Sequence, residues 1–141
     1  MKILIETIPH KEQRYPTVGD WQWTTADEAG LDKQAYKHIP SQYGNEPTLV
    51  IRVSSMSDWR HEALVAVHEL IEVLLCKHSS ITEQQVNEFD MTYESFSGME
   101  PGDDPKAPYH HQHRFASIVE ELLAMELGVD WQTYDREVNS L

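Results

Sequence analysis

Residues 58–78, DWRHEALVAVHELIEVLLCKH, form the stretch that decides the fold. At about 100° per residue, the pattern predicts one amphipathic helix. Six aliphatic residues share its broad apolar face: Leu64, Val67, Leu70, Ile71, Leu74 and Leu75. His61, Val65, His68 and Glu72 follow one edge of that face, with His68 and Glu72 one turn apart. A charged group beside a core is costly unless something compensates it, so we expect a divalent metal ion at this edge.

The segments before this helix predict three strands. Residues 48–54 (TLVIRVS) alternate and are rich in β-branched side chains, and residues 2–8 (KILIETI) and 21–25 (WQWTT) follow the same pattern more loosely. Thr25 is positioned to cap a short helix through residue 29, and residues 32–38 form a further short helical candidate. Ser57 or Asp58 supplies the cap of the central helix.

The segments after it predict more helices. Residues 80–83 (SITE) match a capping box for a second helix, and a long loop follows at 97–108. The expected apolar stripe of the second helix is Val86, Phe89, Tyr93 and Phe96. A third helix is expected from about residue 110 to 127, ended by Gly128. Its expected apolar face is Phe115, Ile118, Val119, Leu122 and Met125. Asp130 caps a last short helix.

This order predicts a single α+β domain over residues 1–141, in which a small sheet of about three strands packs against three or four helices. The formal charge of −13 argues against binding to nucleic acid, which needs clustered Lys and Arg. No apolar run is long enough for a membrane span, and the first residues lack a signal-peptide pattern. With Cys76 as the only cysteine, a reducing, cytoplasmic location is expected. The oligomeric state is left open.

The residues 68–72, HELIE, form an HExxE motif. In the zinc motif HExxH, two histidines one turn apart bind the metal and the glutamate between them acts as general base. The strand and helix over about residues 48–76 thus resemble the zincin metallopeptidases. The resemblance implies that His68 is a metal ligand and Glu69 the catalytic base, with a peptide or protein as substrate. Glu72 stands where that family has its second histidine, and its extra negative charge favours a harder metal or an inactive site.

A second histidine cluster, His110, His111 and His113, begins the third helix. His113 and Glu120 share one edge of that helix, and Ala116 between them lets another helix approach closely. We therefore expect His113 to complete a site for Zn²⁺ or another divalent metal, with His110 and His111 as the alternatives. Glu120 is either a fourth ligand or a partner that holds a histidine ring.

The sequence is also compatible with two other functions. The segment after residue 100 is similar to small uncharacterised proteins of bacteriophages and prophages, which suggests a non-enzymatic accessory protein. Glu69 and Glu72, followed by Asn87 and Asp90 on the next helix, also resemble the MazG-type nucleotide pyrophosphohydrolases, which bind magnesium through carboxylates on two helices. That match is partial, because His68 and Asn87 replace glutamates of that pattern.

Overall fold

The computed structural model describes residues 1–30, 46–94 and 99–141. Its sheet consists of β1 (Lys2–Ile8), β2 (Gly19–Trp23) and β3 (Thr48–Ser54) in the order β1-β3-β2. β1 runs parallel to β3, and β2 runs antiparallel to it. All three strands were expected from the sequence, although β2 begins two residues earlier than its aromatic pattern indicates.

Five α-helices surround or follow the sheet within the described residues. They are α1 (Ala26–Ala29), α2 (Trp59–His78), α3 (Glu83–Thr92), α4 (His110–Glu126) and α5 (Trp131–Ser140). The α+β class is confirmed, and the single turn α1 is capped by Thr25 as expected. The helical candidate at 32–38 lies outside the described residues. No helix in the described ranges combines the length and the apolar character needed to cross a membrane.

The central strand β3 and the long helix α2 determine how the layers of the fold are stacked. β3 is central because its β-branched side chains are buried along nearly its whole length. Asp58 caps α2 by accepting a hydrogen bond from the Arg60 amide, and the helix then packs on β2 and β3. Its other side packs against α4, so α2 is the middle layer between the sheet and α4.

The predicted apolar face is wrong for α4 and only partly correct for α2. On α4, Phe115, Ile118, Leu122 and Met125 are exposed, and the buried positions are instead Gln112, His113, Ala116, Glu120 and Ala124. On α2, the polar edge is buried together with Leu64, Val73 and Cys76, while most of the expected aliphatic face is half-buried. The physical reason is that the polar edges of α2 and α4 pack against each other and exclude water together.

The capping box of α3 also differs from the expected one. The structure pairs Thr82 with Gln85, because each side chain bonds the other residue's backbone amide. Ser80 lies two residues too early, in the left-handed region with φ 59°. Val86 is buried as expected, whereas Phe96 lies outside the described residues.

Glu83, the glutamate of the expected capping box, therefore does not cap α3 and is buried instead. Its Oε1 accepts a hydrogen bond from the Trp23 amide at 2.6 Å, and the Arg14 guanidinium, which donates to the Trp21 carbonyl at 3.2 Å, lies 3.8 Å from Oε2. These side chains therefore satisfy the outer edge of β2. Burial, only partly offset by the Trp23 amide and Arg14, raises the pKa of Glu83 to about 7.

This pKa predicts how stability depends on pH. Because the folded pKa lies above the ordinary value of 4.5, the folded state binds more protons between about pH 4.5 and 7, and stability falls as pH rises through that window. Glu83→Gln keeps the acceptor for Trp23 and removes the titration. We expect the loss of unfolding free energy between pH 5 and 8 to shrink by about 2 kcal/mol in this variant, measured by urea denaturation.

Glu88→Gln removes an equal charge from an exposed position on the same helix and should leave the pH dependence unchanged. Identical pH profiles for wild type and Glu83→Gln would contradict the prediction.

Candidate metal centre

The site is built where the polar edges of α2 and α4 meet. His68 and Glu72 come from consecutive turns of α2, and His113 comes from the first turn of α4. All three side chains are buried. Ala116 and Ala124 face the same seam and are buried, so the two helices can approach closely enough for the three side chains to meet.

Three donor atoms converge into a nearly equilateral triangle. His68 Nε2 lies 3.2 Å from His113 Nδ1 and 3.4 Å from Glu72 Oε2, and His113 Nδ1 lies 3.0 Å from Glu72 Oε2. Zinc bonds of roughly 2.0–2.2 Å at tetrahedral angles put neighbouring ligand atoms about 3.3–3.6 Å apart. The observed spacing is close to that requirement, so this cluster can hold a metal ion with small movements of the side chains.

The remaining polar atoms of His68 and Glu72 are held from outside the triangle. His68 Nδ1 lies 2.8 Å from Glu120 Oε2, and the Tyr134 hydroxyl of α5 donates to the other oxygen of Glu120. The Trp21 indole of β2 donates to Glu72 Oε1 at 3.0 Å. Such outer partners fix the ring orientation and the basicity of metal ligands.

His113 is held from its far side by the turn that precedes α4. Its Nε2 lies 3.2 Å from Asp103 Oδ1 and 3.5 Å from Glu100 Oε2. Gly102 lies directly on the imidazole, since a Cβ at this position would be 2.3 Å from the ring. The short 3₁₀ turn Pro101–Asp103 within the expected loop therefore orients the third donor.

The structure distinguishes the residues that the sequence left open. His113 reaches the triangle, whereas His110 bonds the Gly102 carbonyl at 2.9 Å and His111 is exposed. Glu120 is bonded to the far nitrogen of His68, which is the position of a partner that holds a ring. It is not among the atoms that converge with His68, Glu72 and His113.

The charges of the triangle are mutually stabilised. Burial alone lowers the pKa of His68, but its hydrogen bonds to Glu120 and Glu72 outweigh this effect and raise the pKa to about 11. Burial alone raises the pKa of Glu72, but hydrogen bonds to His113 and His68 lower it to about 2. When no metal is bound, the protonated His68 ring therefore supplies the positive charge between Glu72 and Glu120.

Glu69 points away from the triangle but into the same cavity. It packs against the start of β2, where a Cβ on Gly19 would lie 2.7 Å from Glu69 Oε1 and 2.6 Å from Val65 Cγ1. Burial first, and the negative charge of Glu72 second, raise the pKa of Glu69 well above its usual range. A raised pKa makes its carboxylate a stronger base than that of an ordinary glutamate.

Sequence reasoning missed the outer partners, namely Trp21, Glu100, Asp103 and Tyr134. Trp21 belongs to the aromatic pattern that predicts β2, and Tyr134 lies in the last short helix, for which the sequence indicated no role in the site. Trp21 and Tyr134 act across the fold, and Glu100 and Asp103 act from the loop before α4, so no helical spacing reveals their roles. No protein-family model, curated protein or solved structure matches this chain.

The triangle predicts which substitutions remove a bound metal. His68→Ala, Glu72→Ala and His113→Ala should each reduce bound zinc from near one ion per chain to less than a tenth, because two donors alone bind weakly. The measurement is elemental analysis of protein purified without a metal-affinity tag. His111→Ala, on the same helix but exposed, should retain the full amount. If the His113 variant retained all of its zinc, α4 would not contribute a ligand to the site.

Metal affinity should also depend on pH. Because imidazole binds a metal only when neutral, each bound ion must displace protons from rings whose pKa is raised. Affinity should therefore rise with pH and continue to rise above pH 7. Calorimetric titration in buffers of different ionisation enthalpy measures both the affinity and the protons released. An affinity that is flat from pH 6 to 8 would contradict imidazole ligation.

Proposed function

We propose that this chain is a metal-dependent hydrolase of the peptidase type, with zinc held by His68, Glu72 and His113. The observation that carries the proposal is the donor triangle, in which every ligand is also bonded on its far side. Two imidazoles and one carboxylate are the protein ligands of several zinc hydrolases.

A zinc ion held by these residues would polarise a carbonyl group and lower the pKa of a water molecule toward neutral pH. The chain itself supplies the proton acceptor and the positioning groups. Glu69 lines the cavity beside the triangle, and Gly19 allows its carboxyl to pack closely against β2. Its role would be to take a proton from the attacking water and to return it to the leaving amine. The raised pKa of Glu69 suits both transfers.

The nature of the donors favours this proposal over the magnesium-dependent pyrophosphohydrolase. Magnesium prefers oxygen ligands, whereas two of the three converging atoms here are imidazole nitrogens. Glu69, Glu72, Asn87 and Asp90 do line one cavity, so that function keeps a geometric basis. Nucleotide turnover that requires magnesium and survives His113→Ala would favour it.

Glu69→Gln tests the catalytic role. The amide keeps the size and the hydrogen bonding of the side chain but cannot accept the proton. We expect this variant to retain its zinc and its fold and to lose about 10²–10⁴ of the hydrolysis rate. The measurement is cleavage of a broad peptide library followed by mass spectrometry, at equal zinc loading.

Glu126→Gln, an exposed position at the end of α4, should cleave at the wild-type rate. Equal rates for wild type and Glu69→Gln would show that Glu69 is not the base. If the zinc-loaded wild type cleaves no peptide, the hydrolase proposal fails and the accessory protein becomes the better explanation.

A further inference from the structure

The donor triangle opens into a cavity of about 1010 Å³ whose wall is strongly acidic. The wall combines parts of β2, α2, α3, α4, α5 and the turn before α4. The carboxylates that line it are Asp20, Glu69, Glu72, Asp90, Glu100, Asp103, Glu120, Glu121 and Asp135. Among the described residues, neither a lysine nor an arginine lines the cavity. A low-dielectric cleft lined by one sign of charge concentrates ligands of the opposite sign.

Some of this charge is already compensated within the protein. Glu72 and Glu120 contact His68, Glu100 and Asp103 contact His113, and Asp20 pairs with Arg14 at 2.5 Å. A metal ion in the triangle would be balanced by these same groups.

Four of the cavity carboxylates remain without a cation. Glu69, Asp90, Glu121 and Asp135 form no ion pair with any residue that the structure describes. Glu69 contributes less than a full charge because its pKa is raised. The negative charge that the histidines and one divalent ion do not neutralise therefore comes mainly from Asp90, Glu121 and Asp135, and it can attract a cationic ligand.

Asp90 is the best placed of these four for selectivity. It lies on α3, and its Oδ1 accepts a hydrogen bond from the Tyr109 hydroxyl at 2.5 Å. The Tyr109 ring lies 6.2 Å from the ring of His113, so Asp90 is separated from a proposed metal ligand by a single side chain. The Tyr109 bond fixes one oxygen of Asp90, and the carboxylate lines the cavity beside Asn87.

We propose that the substrate of this site is a polypeptide with lysine or arginine next to the bond that is cut, and that Asp90 selects that side chain. The inference rests on the proposed hydrolase function and adds its substrate class. A side chain that enters this cavity exchanges water for a wall of carboxylates. A cationic side chain gains attraction from the exchange, a neutral one gains none, and an anionic one is repelled.

Pairing of a substrate's main chain with the outer edge of β2 cannot provide this selectivity. The Trp23 amide and the Trp21 carbonyl on the outer edge of β2 are already bonded to Glu83 and Arg14. A substrate strand cannot pair there without breaking both contacts. Discrimination therefore falls to the side chains that enter the cavity.

The test measures binding separately from cleavage. Zinc-loaded Glu69→Gln protein is titrated with labelled peptides that share a neutral frame and carry lysine, norleucine or glutamate at each central position in turn. Fluorescence anisotropy reports the affinity at low and at physiological salt. We expect the best lysine peptide to bind at least tenfold more tightly than its norleucine counterpart, and the glutamate peptide to bind most weakly. The lysine preference should decrease as salt increases.

A second variant assigns the preference to one residue. Adding Asp90→Asn to the Glu69→Gln protein should reduce the lysine preference at least fivefold and leave norleucine binding unchanged. Adding Glu88→Gln, an exposed position on the same helix, should change neither. Equal affinity for lysine and norleucine peptides would overturn the substrate class. An unchanged preference in the Asp90 variant would overturn the role of Asp90.

The same experiments separate this inference from the proposal on which it rests. Tight, selective binding of basic peptides without cleavage by the wild type would refute the hydrolase and leave the selectivity intact. Cleavage with a preference for neutral or acidic sequences would support the hydrolase and refute the selectivity.

Discussion

The burial of an alternating set of imidazoles and carboxylates between α2 and α4 is the constraint on which the rest of the structure depends. Glu120, His68, Glu72 and His113 form one chain of contacts of 2.8–3.4 Å. Each carboxylate stabilises a cationic ring, and each ring offsets the desolvation of a carboxylate. Removing one member leaves an uncompensated charge in the seam, which is more costly than the loss of one hydrogen bond. The four residues must therefore be considered as a unit.

This constraint explains where sequence reasoning succeeded. β3 and α2 were identified because local propensity, capping and tertiary packing agree there: Asp58 caps the helix, and β-branched residues fill the central strand. The polar edge of α2 was recognised as unusual, and His68, Glu72 and His113 do come together. The third donor was predictable because His113 and Glu120 lie on one edge of α4, with the small Ala116 between them.

The same constraint explains the principal error. The amphipathic rule assumes that the more apolar face of a helix turns inward. On α4 the inward face consists of small and ionisable residues, because its partner on α2 is polar, and Phe115, Ile118, Leu122 and Met125 are left exposed. Two helices pack through faces that complement each other, and the face that complements a polar edge is itself polar. Periodicity within a single helix carries no information about the face that it will meet. The outer partners were missed for the same reason, since Trp21 and Tyr134 act across the fold.

The contact between the Trp21 indole and Glu72 gives the protein an internal optical reporter. Indole emission depends on the charge near the ring and is quenched by paramagnetic ions at short range. Trp21 is buried in β2 and bonded to one oxygen of Glu72, whereas Trp59 is largely exposed. A change in the occupant of the triangle, whether a proton, a diamagnetic ion or a paramagnetic one, would therefore alter the emission of Trp21, which is one of two buried tryptophans in β2. The side chain that orients Glu72 also converts the state of the site into a spectroscopic signal.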